Sequence, residues 1–436
     1  MSARDSAGQP ARAAAQAILS DVLRKRRPLD AAIDDVLPGA KLEPRDAGFA
    51  RAIAGETLRR FGQLDALIRE FVPKALPPHK AGPTLEILLA GACELLFLDV
   101  PAHAAVDGAN RLAQRDAKAV HFKPLINAVL RRVAAEGKAV AAAQDAGRLN
   151  TPDWLWTRWT ESYSEKTTRA IAAAHLAQAP LDLAAKADAG EWAAKLNAQL
   201  LPGDVIRLQD AQRVDTLPGY ADGAWWVQDF AASFPVRLLG DVRGRRVIDL
   251  CAAPGGKTMQ LAAMGADVLS VERDTDRMAR LKDNLERVNL PTRLVQSDVR
   301  DFTPDAPADF VLLDAPCSAT GTIRRHPELP WIKNAADVTL SAQSASELLD
   351  GAAEMVMRGG LLVFAVCSLE PEEGIEQIEA FLHRNANFTR ERISPGNVCG
   401  MEELISAEGD LRTLPCHLSA QSGMDGFYAA KLRRKL

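Results

Sequence analysis

The stretch VIDLCAAPGGKT, residues 247–258, decides the fold of the C-terminal half of this 436-residue chain. Its first residues form an apolar run typical of a buried strand, and the paired glycines after it precede a helix. From about residue 240 such strands alternate with helical segments, which predicts an α/β domain with a mostly parallel sheet. The predicted strands are Val247–Cys251, Val268–Glu272, Thr292–Gln296, Phe310–Asp314 and Leu361–Val366, followed by an antiparallel strand at Gly426–Leu432.

The regions before this domain have a different pattern. Over the first 140 residues, apolar side chains recur at the 3.6-residue period of amphipathic helices, with the most apolar stripe at Leu85–Leu96. Between 141 and 235, three tryptophans lie in one expected helix, and strand-like runs occur at Val205–Leu208 and Trp225–Val227. We therefore predict three domains: an all-α domain at 1–140, a small connecting α/β subdomain at 141–235, and the α/β domain at 236–436.

The composition excludes several classes of protein. With 47% hydrophobic and 25% charged residues, the chain is an ordinary globular protein. Its six cysteines are spread singly, without metal-ligand spacing, so we expect no metal site and no disulfide framework. No apolar run is long enough for a signal peptide or a membrane span. These features predict a cytoplasmic protein that does not bind a membrane.

Basic residues occur in short clusters, although the formal net charge is −4. Such clusters can contact the phosphates of a nucleic acid, or they can be solvated helix ends, and composition alone does not choose between these interpretations. The clusters lie at Arg24–Arg27, Arg59-Arg60, Arg131-Arg132 and Lys431–Lys435.

The loop after the first strand has the composition of a site for an anionic ligand. Small residues and paired glycines let the backbone approach a ligand closely, and the next helix presents N–H groups to a carboxylate or phosphate. The sequence Gly256-Lys257-Thr258 matches the end of the phosphate-binding loop motif. That motif also requires a glycine at position 251, where this chain has Cys251. A nucleoside triphosphatase is therefore the weaker, rival interpretation. The predicted cofactor-binding residues of this loop are Cys251, Ala252, Ala253, Pro254, Gly255, Gly256 and Lys257.

Acidic residues follow the next two predicted strands. Glu272 ends the second strand about 20 residues beyond the glycine loop, where an acid usually accepts hydrogen bonds from a ribose diol. Asp298 follows the third strand and is suited to bind an adenine amino group. Either carboxylate could instead cap a turn. Together with the glycine loop, they predict a cofactor that contains adenosine.

Two cysteines follow the last two parallel strands. Cys317 lies in Asp314-Ala315-Pro316-Cys317-Ser318, and Cys367 directly follows Val366. Ligands bind in the crevice outside the carboxyl ends of parallel strands, so both thiols are expected at the ligand-binding edge. Two thiols at that edge suggest covalent chemistry more than packing.

Four segments of the chain resemble the bacterial ribosomal RNA small-subunit methyltransferase B family: Asp249–Thr258, Asp314–Glu328, Val366–Gly374 and Asp425–Leu432. The first 140 residues resemble the antitermination-factor-like helical domain of this family. The resemblance implies an S-adenosylmethionine-dependent RNA cytosine-5 methyltransferase with a Rossmann-like class I catalytic domain. One departure is the run Leu183-Ala184-Ala185-Lys186, where family members usually read Leu-Arg-Val-Asn, which puts an RNA contact from this region in doubt.

The resemblance also implies roles for individual residues. The cysteine that matches Cys367 is the family's nucleophile, and the one that matches Cys317 assists product release. A comparison with the Pro-Cys nucleophile of DNA cytosine methyltransferases would choose Cys317 instead. Asp314 is expected near N3 and the exocyclic amine of the base, and also at the cofactor. Lys257 is expected to position cofactor or base, unless it is a solvated lysine on a first helical turn.

The expected substrate is small-subunit ribosomal RNA, methylated before the subunit is fully assembled. A base must be unstacked before chemistry can reach it, so we expect a single-stranded or loop target. Arg324, Arg325 and His326 are the predicted RNA contacts. Transfer RNA is the alternative substrate, and an RNA-binding scaffold without activity is the alternative class. We expect a monomer.

Overall fold

The computed structural model describes residues 8–72, 74, 76–209 and 213–436. These residues form two compact units. The first, called the helical unit below, contains the N-terminal part of the chain up to Ala177 together with Ile323–Asn334. The second, called the sheet unit, contains Gln178–Thr322 and Ala335–Leu436.

The helical unit is built from amphipathic helices around α6, which is buried along nearly its whole length. Several of these helices have a proline in the first turn. A backbone N–H there would have no intrahelical acceptor, so the proline costs no hydrogen bond. The helices are α1 (Gln9–Lys25), α2 (Leu29–Ala40), α3 (Pro44–Arg59), α4 (Phe61–Phe71), α5 (Pro78–Ala81), α6 (Thr84–Leu96), α7 (Ala102–Arg115), α8 (Lys123–Ala143), α9 (Ala146–Leu149), α10 (Asp153–Tyr163) and α11 (Glu165–His175).

The helical unit extends beyond the boundary at residue 140 that the sequence suggested. The side chain of Asn150, directly after α9, donates to Gln63 Oε1 at 2.9 Å, and its own oxygen accepts from the Gln63 backbone N–H. Trp159 of α10 is buried in the same unit, and the Trp156 ring lies beneath two arginine side chains. The tryptophan helix is thus present as expected, but it packs with the N-terminal helices instead of with a connecting subdomain.

The segment Ile323–Asn334 also belongs to the helical unit, although the sequence placed it in the C-terminal domain. It carries a short helix, α16 (Leu329–Ile332), whose last carbonyl oxygen accepts from Arg26 Nε at 2.8 Å. The indole N–H of Trp331 donates to the Leu58 carbonyl oxygen at 3.0 Å. Contacts of Trp331 and Ile332 with the N-terminal helices thus group this segment with them.

The sheet unit begins with a small antiparallel sheet of strand order β2-β3-β1-β4. The predicted strands at Val205–Leu208 and Trp225–Val227 are confirmed as β3 and β4. Ala184, within the departure noted above, packs against the Trp226 cluster, and Lys186 Nζ donates to the Val288 carbonyl oxygen. The elements are β1 (Leu181–Ala185), α12 (Ala189–Lys195), β2 (Gln199–Leu201), β3 (Val205–Leu208), β4 (Trp225–Val227) and α13 (Phe230–Arg237).

The large sheet confirms the predicted Rossmann-like architecture. Its order is β10-β12-β9-β8-β5-β6-β7, with β11 paired to β12. Strands β5 to β9 pair in parallel, and β12 runs antiparallel to β9. The elements are β5 (Arg246–Leu250), α14 (Gly256–Ala263), β6 (Asp267–Glu272), α15 (Thr275–Arg287), β7 (Arg293–Gln296), β8 (Ala308–Asp314), α17 (Ala335–Glu354), β9 (Val356–Val366), α18 (Ile375–Arg384), β10 (Phe388–Arg390), β11 (Leu411–Thr413) and β12 (Phe427–Arg434).

The strand order creates one preferred place for a ligand. The first parallel strand, β5, pairs with β6 on one side and with β8 on the other, so the chain order reverses at β5. A crevice opens at the carboxyl end of a strand at such a switch point. The loop 251–255 leaves β5 at this position.

Two features are absent from the residues that the structure describes. Among them, no helix has the length and apolar character needed to cross a membrane. Within the same residues, no three or more His, Cys, Asp or Glu side chains are grouped so that they could hold a metal ion.

Candidate active site at the carboxyl edge of the large sheet

The loop between β5 and α14 has a backbone that tolerates only certain residues. Gly255 adopts φ +109°, and a Cβ built there would lie 2.6 Å from Leu281 Cδ1. Cys251 also adopts a positive φ, of 58°, at the position where a phosphate-binding loop has its first glycine. The loop therefore lies close to its neighbours and directs the first turn of α14 towards the crevice, as a ligand with a carboxylate requires.

Two cavities adjoin this loop within the sheet unit. The larger, of about 450 Å³, is lined by loop residues 251–254 together with Asp249, Lys257 and Asp314. The smaller, of about 50 Å³, is lined by Cys251, Glu272 and Asp298. The predicted loop, the predicted ribose acid and the predicted adenine acid therefore lie around adjoining spaces at one sheet edge.

The two acids of the smaller cavity already have protein partners. Glu272 Oε1 accepts from the backbone N–H groups of Arg273 and Asp274, and its Oε2 accepts from Ala253 N–H at 3.3 Å. The side chain of Arg300 binds Asp298 in a fork and lowers the pKa of that carboxyl. Both acids thus stabilise turns. A carboxylate can accept about four hydrogen bonds, so Glu272, which accepts three, can accept one more, whereas Asp298 already accepts four from Arg300 and Arg273.

Lys257 and Asp314 form an ion pair at the boundary of the larger cavity. Lys257 Nζ lies 2.6 Å from Asp314 Oδ2, and the two side chains are 10% and 32% exposed. Burial opposes protonation of Lys257, but the charge of Asp314 and its hydrogen bond outweigh this, so the pKa of Lys257 lies above its ordinary value. Lys257 is therefore a buried cation that faces an acid, and not a solvated lysine on a first turn.

The sulfur atoms of Cys317 and Cys367 lie 3.5 Å apart. The hydrogen bond with Cys367, burial and the charge of Cys367 together raise the pKa of Cys317 well above the ordinary value. The pair therefore favours a proton on Cys317. A third cysteine at this edge is inert, because burial raises the pKa of Cys251 to about 12.

Comparisons with known proteins identify the class of this site. Residues 236–433 match the family described as 16S rRNA methyltransferase RsmB/F, and residues 9–135 match the NusB family. A ribosomal RNA small subunit methyltransferase B from Vibrio cholerae is 33% identical, over 97% of this chain and 97% of that protein. The chain belongs to the 16S rRNA methyltransferase RsmB/F family. The enzyme of the same name from Klebsiella pneumoniae is 35% identical, over 89% of this chain and 94% of that protein.

Solved structures share the fold. The crystal structure of PH0851 has a TM-score of 0.77 and 23% identity, and covers 98% of this chain and 99% of that chain. A methyltransferase homolog protein from Pyrococcus horikoshii has a TM-score of 0.53 and 24% identity, and covers 64% of this chain and 94% of that chain.

Membership of the family makes this chain an RNA methyltransferase that uses S-adenosylmethionine. The residues present fit that cofactor: a loop that lines a cavity of about 450 Å³, a helix N-terminus for the carboxylate, and an acid at the end of β6. The rival interpretation, a nucleoside triphosphatase, is not supported, because the family is one of methyltransferases.

The three predicted RNA contacts, Arg324, Arg325 and His326, belong to the helical unit. Arg324 is 1% exposed, and its carbonyl oxygen accepts from Arg59 Nη1 at 2.9 Å. Its burial argues against a direct role in binding RNA phosphates. Arg325 and His326 are partly exposed, with His326 Nδ1 at 3.7 Å from Glu328 Oε1. An RNA contact by these two residues stays a prediction.

One residue of the site was missed by the sequence analysis. Glu373 is fully buried, and its carboxylate accepts hydrogen bonds from the residue after each of the two cysteines. Its position in Glu370-Pro371-Glu372-Glu373-Gly374 is typical of an exposed polar turn. Burial of a carboxylate there depends on partners that are distant in sequence, so only its closeness to the Cys-Ser pair was available as a signal.

Proposed function

We propose that this enzyme methylates carbon 5 of a cytosine in 16S ribosomal RNA, and that it does so through a covalent bond between Cys367 and carbon 6 of the base. The observation that supports this most directly is the pair of cysteine sulfurs, 3.5 Å apart at the ligand-binding edge of the sheet. An enzyme that methylated an exocyclic nitrogen or a ribose hydroxyl would have no need of two adjacent thiols. Carbon 5 of cytosine does need one, because it is a poor nucleophile until a thiolate adds at carbon 6.

The attacking sulfur has to be a thiolate, and we assign this role to Cys367. The Lys257 ammonium interacts electrostatically with Cys367, and a nearby cation stabilises a thiolate. Cys317 keeps the proton, because its pKa is raised by the hydrogen bond with Cys367, by burial and by the charge of Cys367. This asymmetry agrees with the roles expected from the family and disagrees with Cys317 as nucleophile.

In this proposal Asp314 and Lys257 assist addition to the base. A carboxyl group near N3 and the exocyclic amine stabilises the protonated ring, which draws electrons away from carbon 6. Asp314 lines the large cavity with 32% of its side chain exposed, so it can contact a base as well as Lys257. S-adenosylmethionine supplies the electrophilic methyl group.

Cys317 is suited to the last step. Two of the three largest causes that raise its pKa, the hydrogen bond and the charge of Cys367, end when the Cys367 sulfur bonds to carbon 6. Cys317 can then ionise and take the proton from carbon 5. The electrons of that C–H bond restore the ring double bond, the C–S bond breaks, and Cys367 leaves as a thiolate.

The finer features of the substrate belong to the same proposal. The target cytosine lies in a single-stranded or loop region, because the base has to enter the site unstacked. The helical unit, which includes the match to the NusB family, contributes RNA recognition. The enzyme acts as a monomer on small-subunit RNA before assembly is complete.

Bisulfite sequencing of total RNA from cells with and without the gene tests the proposal. We expect one 16S cytosine to lose its protection from conversion in the deleted strain, and to regain it when the wild-type gene is returned. A gene with Cys367→Ser is the matched control and should restore nothing. Loss of protection confined to transfer RNA, or at no cytosine, would contradict the proposed substrate.

A further inference from the structure

Glu373 connects the two cysteine loops. One carboxylate oxygen accepts from the Ser318 backbone N–H at 2.7 Å, and the other accepts from the Ser318 hydroxyl at 2.5 Å and from the Ser368 hydroxyl. Ser318 directly follows Cys317, and Ser368 directly follows Cys367. A single buried carboxylate therefore holds the residue next to each sulfur.

The donors around Glu373 are those that an ionised carboxylate requires. A backbone N–H can only donate, and both hydroxyl groups are oriented as donors to the same side chain. Burial raises the pKa of Glu373, and the three hydrogen bonds oppose that effect. The pKa of Glu373 remains raised, and a buried carboxylate with three hydrogen-bond partners lies beside the cysteine pair.

Charged groups lie beside both sulfurs. Glu373 is among the groups that raise the pKa of Cys317, whereas Lys257 interacts with Cys367. The other charged groups that face this cluster are Glu370, which acts on Glu373, Arg412, which donates to the Ser368 carbonyl oxygen, and Asp314, which pairs with Lys257.

Other contacts between the loops do not involve Glu373. The Gly321 backbone N–H donates to the Cys367 carbonyl oxygen at 3.0 Å, and the Leu369 N–H donates to Thr320 Oγ1 at 3.0 Å. The loops therefore have a framework that persists when the charge of Glu373 is removed, so a Glu373→Gln protein is expected to fold.

We propose that Glu373 is a positioning residue that holds the two cysteine loops in register and, by its negative charge, keeps the proton on Cys317 so that Cys367 is the sulfur that attacks. This rests on the proposed function for the roles of the two cysteines. The effect on Cys317 itself does not depend on any RNA substrate, and it can be measured separately.

The first measurement is the rate at which iodoacetamide alkylates Cys317, followed by mass spectrometry of its peptide across pH 6–10. It is made in full-length Cys367→Ala protein, with and without Glu373→Gln, so that Glu373 is tested without the neighbouring thiol. At pH 8 we expect alkylation to be about three- to tenfold faster in the Glu373→Gln protein, because a pKa lower by half to one unit raises the thiolate fraction by that factor.

Two variants control this measurement. Glu379→Gln removes the same charge from an exposed position on α18, and it should leave the Cys317 profile unchanged. Glu373→Asp retains the charge and should return the profile towards that of the parent protein. Equal profiles for the parent and Glu373→Gln proteins would overturn the proposal, and so would a Glu379→Gln shift of the same size.

The second measurement is steady-state methylation of 16S RNA with the cysteines intact. We expect Glu373→Gln to lower kcat while KM for S-adenosylmethionine changes less than twofold, because Glu373 does not line either cavity beside the glycine loop. An unchanged kcat would overturn the proposal while leaving the proposed function in place. A wild-type enzyme that methylates no RNA would overturn the proposed function, and the alkylation result would still decide the effect of Glu373 on Cys317.

Discussion

Two ion pairs of the sheet unit, each between an aspartate and a basic residue, have different surroundings. Asp182 and Arg207 are both 0% exposed, and the guanidinium also donates to the carbonyl oxygens of Gln421 and Gly423 at 2.7 Å each. Asp182 accepts in addition from the Phe230 N–H. Lys257 and Asp314, by contrast, line a cavity of about 450 Å³, and 32% of the Asp314 side chain is exposed.

The difference separates a structural role from a chemical one. The sealed pair, Asp182 and Arg207, is closed off from solvent. It holds β1 and β3 to the loop around Gln421–Gly423, and no solute can reach it to replace a partner. The open pair, Lys257 and Asp314, can exchange one partner for a substrate atom. Cys317 and Cys367 can likewise contact a substrate. Substitutions at the open site should therefore reduce catalysis with little effect on folding, and substitutions at the sealed pair should reduce the free energy of unfolding.

The largest effect is expected at the open site, from the two cysteines. Cys367→Ser should lower methyl transfer by on the order of 10³-fold or more, because it removes the nucleophile. Cys317→Ser should instead accumulate a protein–RNA adduct that survives a denaturing gel, since the base can be attacked but not released. The reverse pattern would show that the roles are assigned backwards, and equal melting temperatures for both variants provide the control for folding.

The sealed pair should give the second largest effect. Arg207→Met leaves the buried Asp182 carboxylate without its counter-ion, and it should lower the free energy of unfolding by about 3–5 kcal/mol. Urea denaturation followed by tryptophan fluorescence measures this. The control is Arg213→Met, whose pair with Asp215 is 63% and 50% exposed, so that its loss should change the free energy of unfolding far less. Equal losses in the two variants would remove the distinction between sealed and open pairs.

Much of the sheet could be predicted from the sequence, because apolar runs that end in Asp, Glu or Cys mark parallel strands. Strands β5 to β8 begin and end within two residues of their predicted bounds. Strand β9 begins at Val356, earlier than the predicted Leu361, because the pair Gly359-Gly360 lies in a segment where its register with β8 shifts. A local pattern does not reveal such an irregularity.

The candidate site also has residues that local sequence predicts and residues that it does not. The glycine loop, Asp314 and the two cysteines each follow a parallel strand, and the carboxyl ends of parallel strands meet at one edge of the sheet. Local sequence was therefore enough to predict that they lie together. The burial of Arg324 and of Glu373 was not predicted, because each lies in a polar turn of the sequence, yet each is buried by residues from far along the chain. Burial of a charge depends on tertiary partners, and no period or motif reports them.

The third effect tests the open pair directly. Lys257→Met should lower kcat by about 10- to 100-fold, because Cys367 loses its nearby cation and Asp314 its partner. The free energy of unfolding should change by less than about 1 kcal/mol, since the remaining carboxylate faces the cavity and stays partly solvated. Lys282→Met, on an exposed face of α15, is the matched control for charge. A large loss of stability at Lys257 would show that this pair is as structural as the sealed one.

The smallest effect concerns Asp249, which is buried below the open pair and binds Thr258 Oγ1 at 2.5 Å. Burial raises the pKa of Asp249 to about 7, and the charges that face it are those of Lys257, Asp314 and Glu272. In the unfolded chain this carboxyl titrates near its ordinary pKa of about 3.9. Between these two values the unfolded state releases the proton first, so the buried acid lowers stability increasingly as pH rises from about 4 to 7.

Asp249→Asn keeps a hydrogen-bonding partner for Thr258 and removes this titration. The variant should therefore gain stability relative to the wild type between pH 5 and pH 6, by on the order of 1 kcal/mol, as measured by urea denaturation at both pH values. Asp283→Asn, at an exposed position on α15, should show no such gain. If the wild-type and Asp249→Asn proteins change in parallel with pH, Asp249 is ionised throughout. The interior of the open site would then stabilise negative charge as well as the sealed pair does.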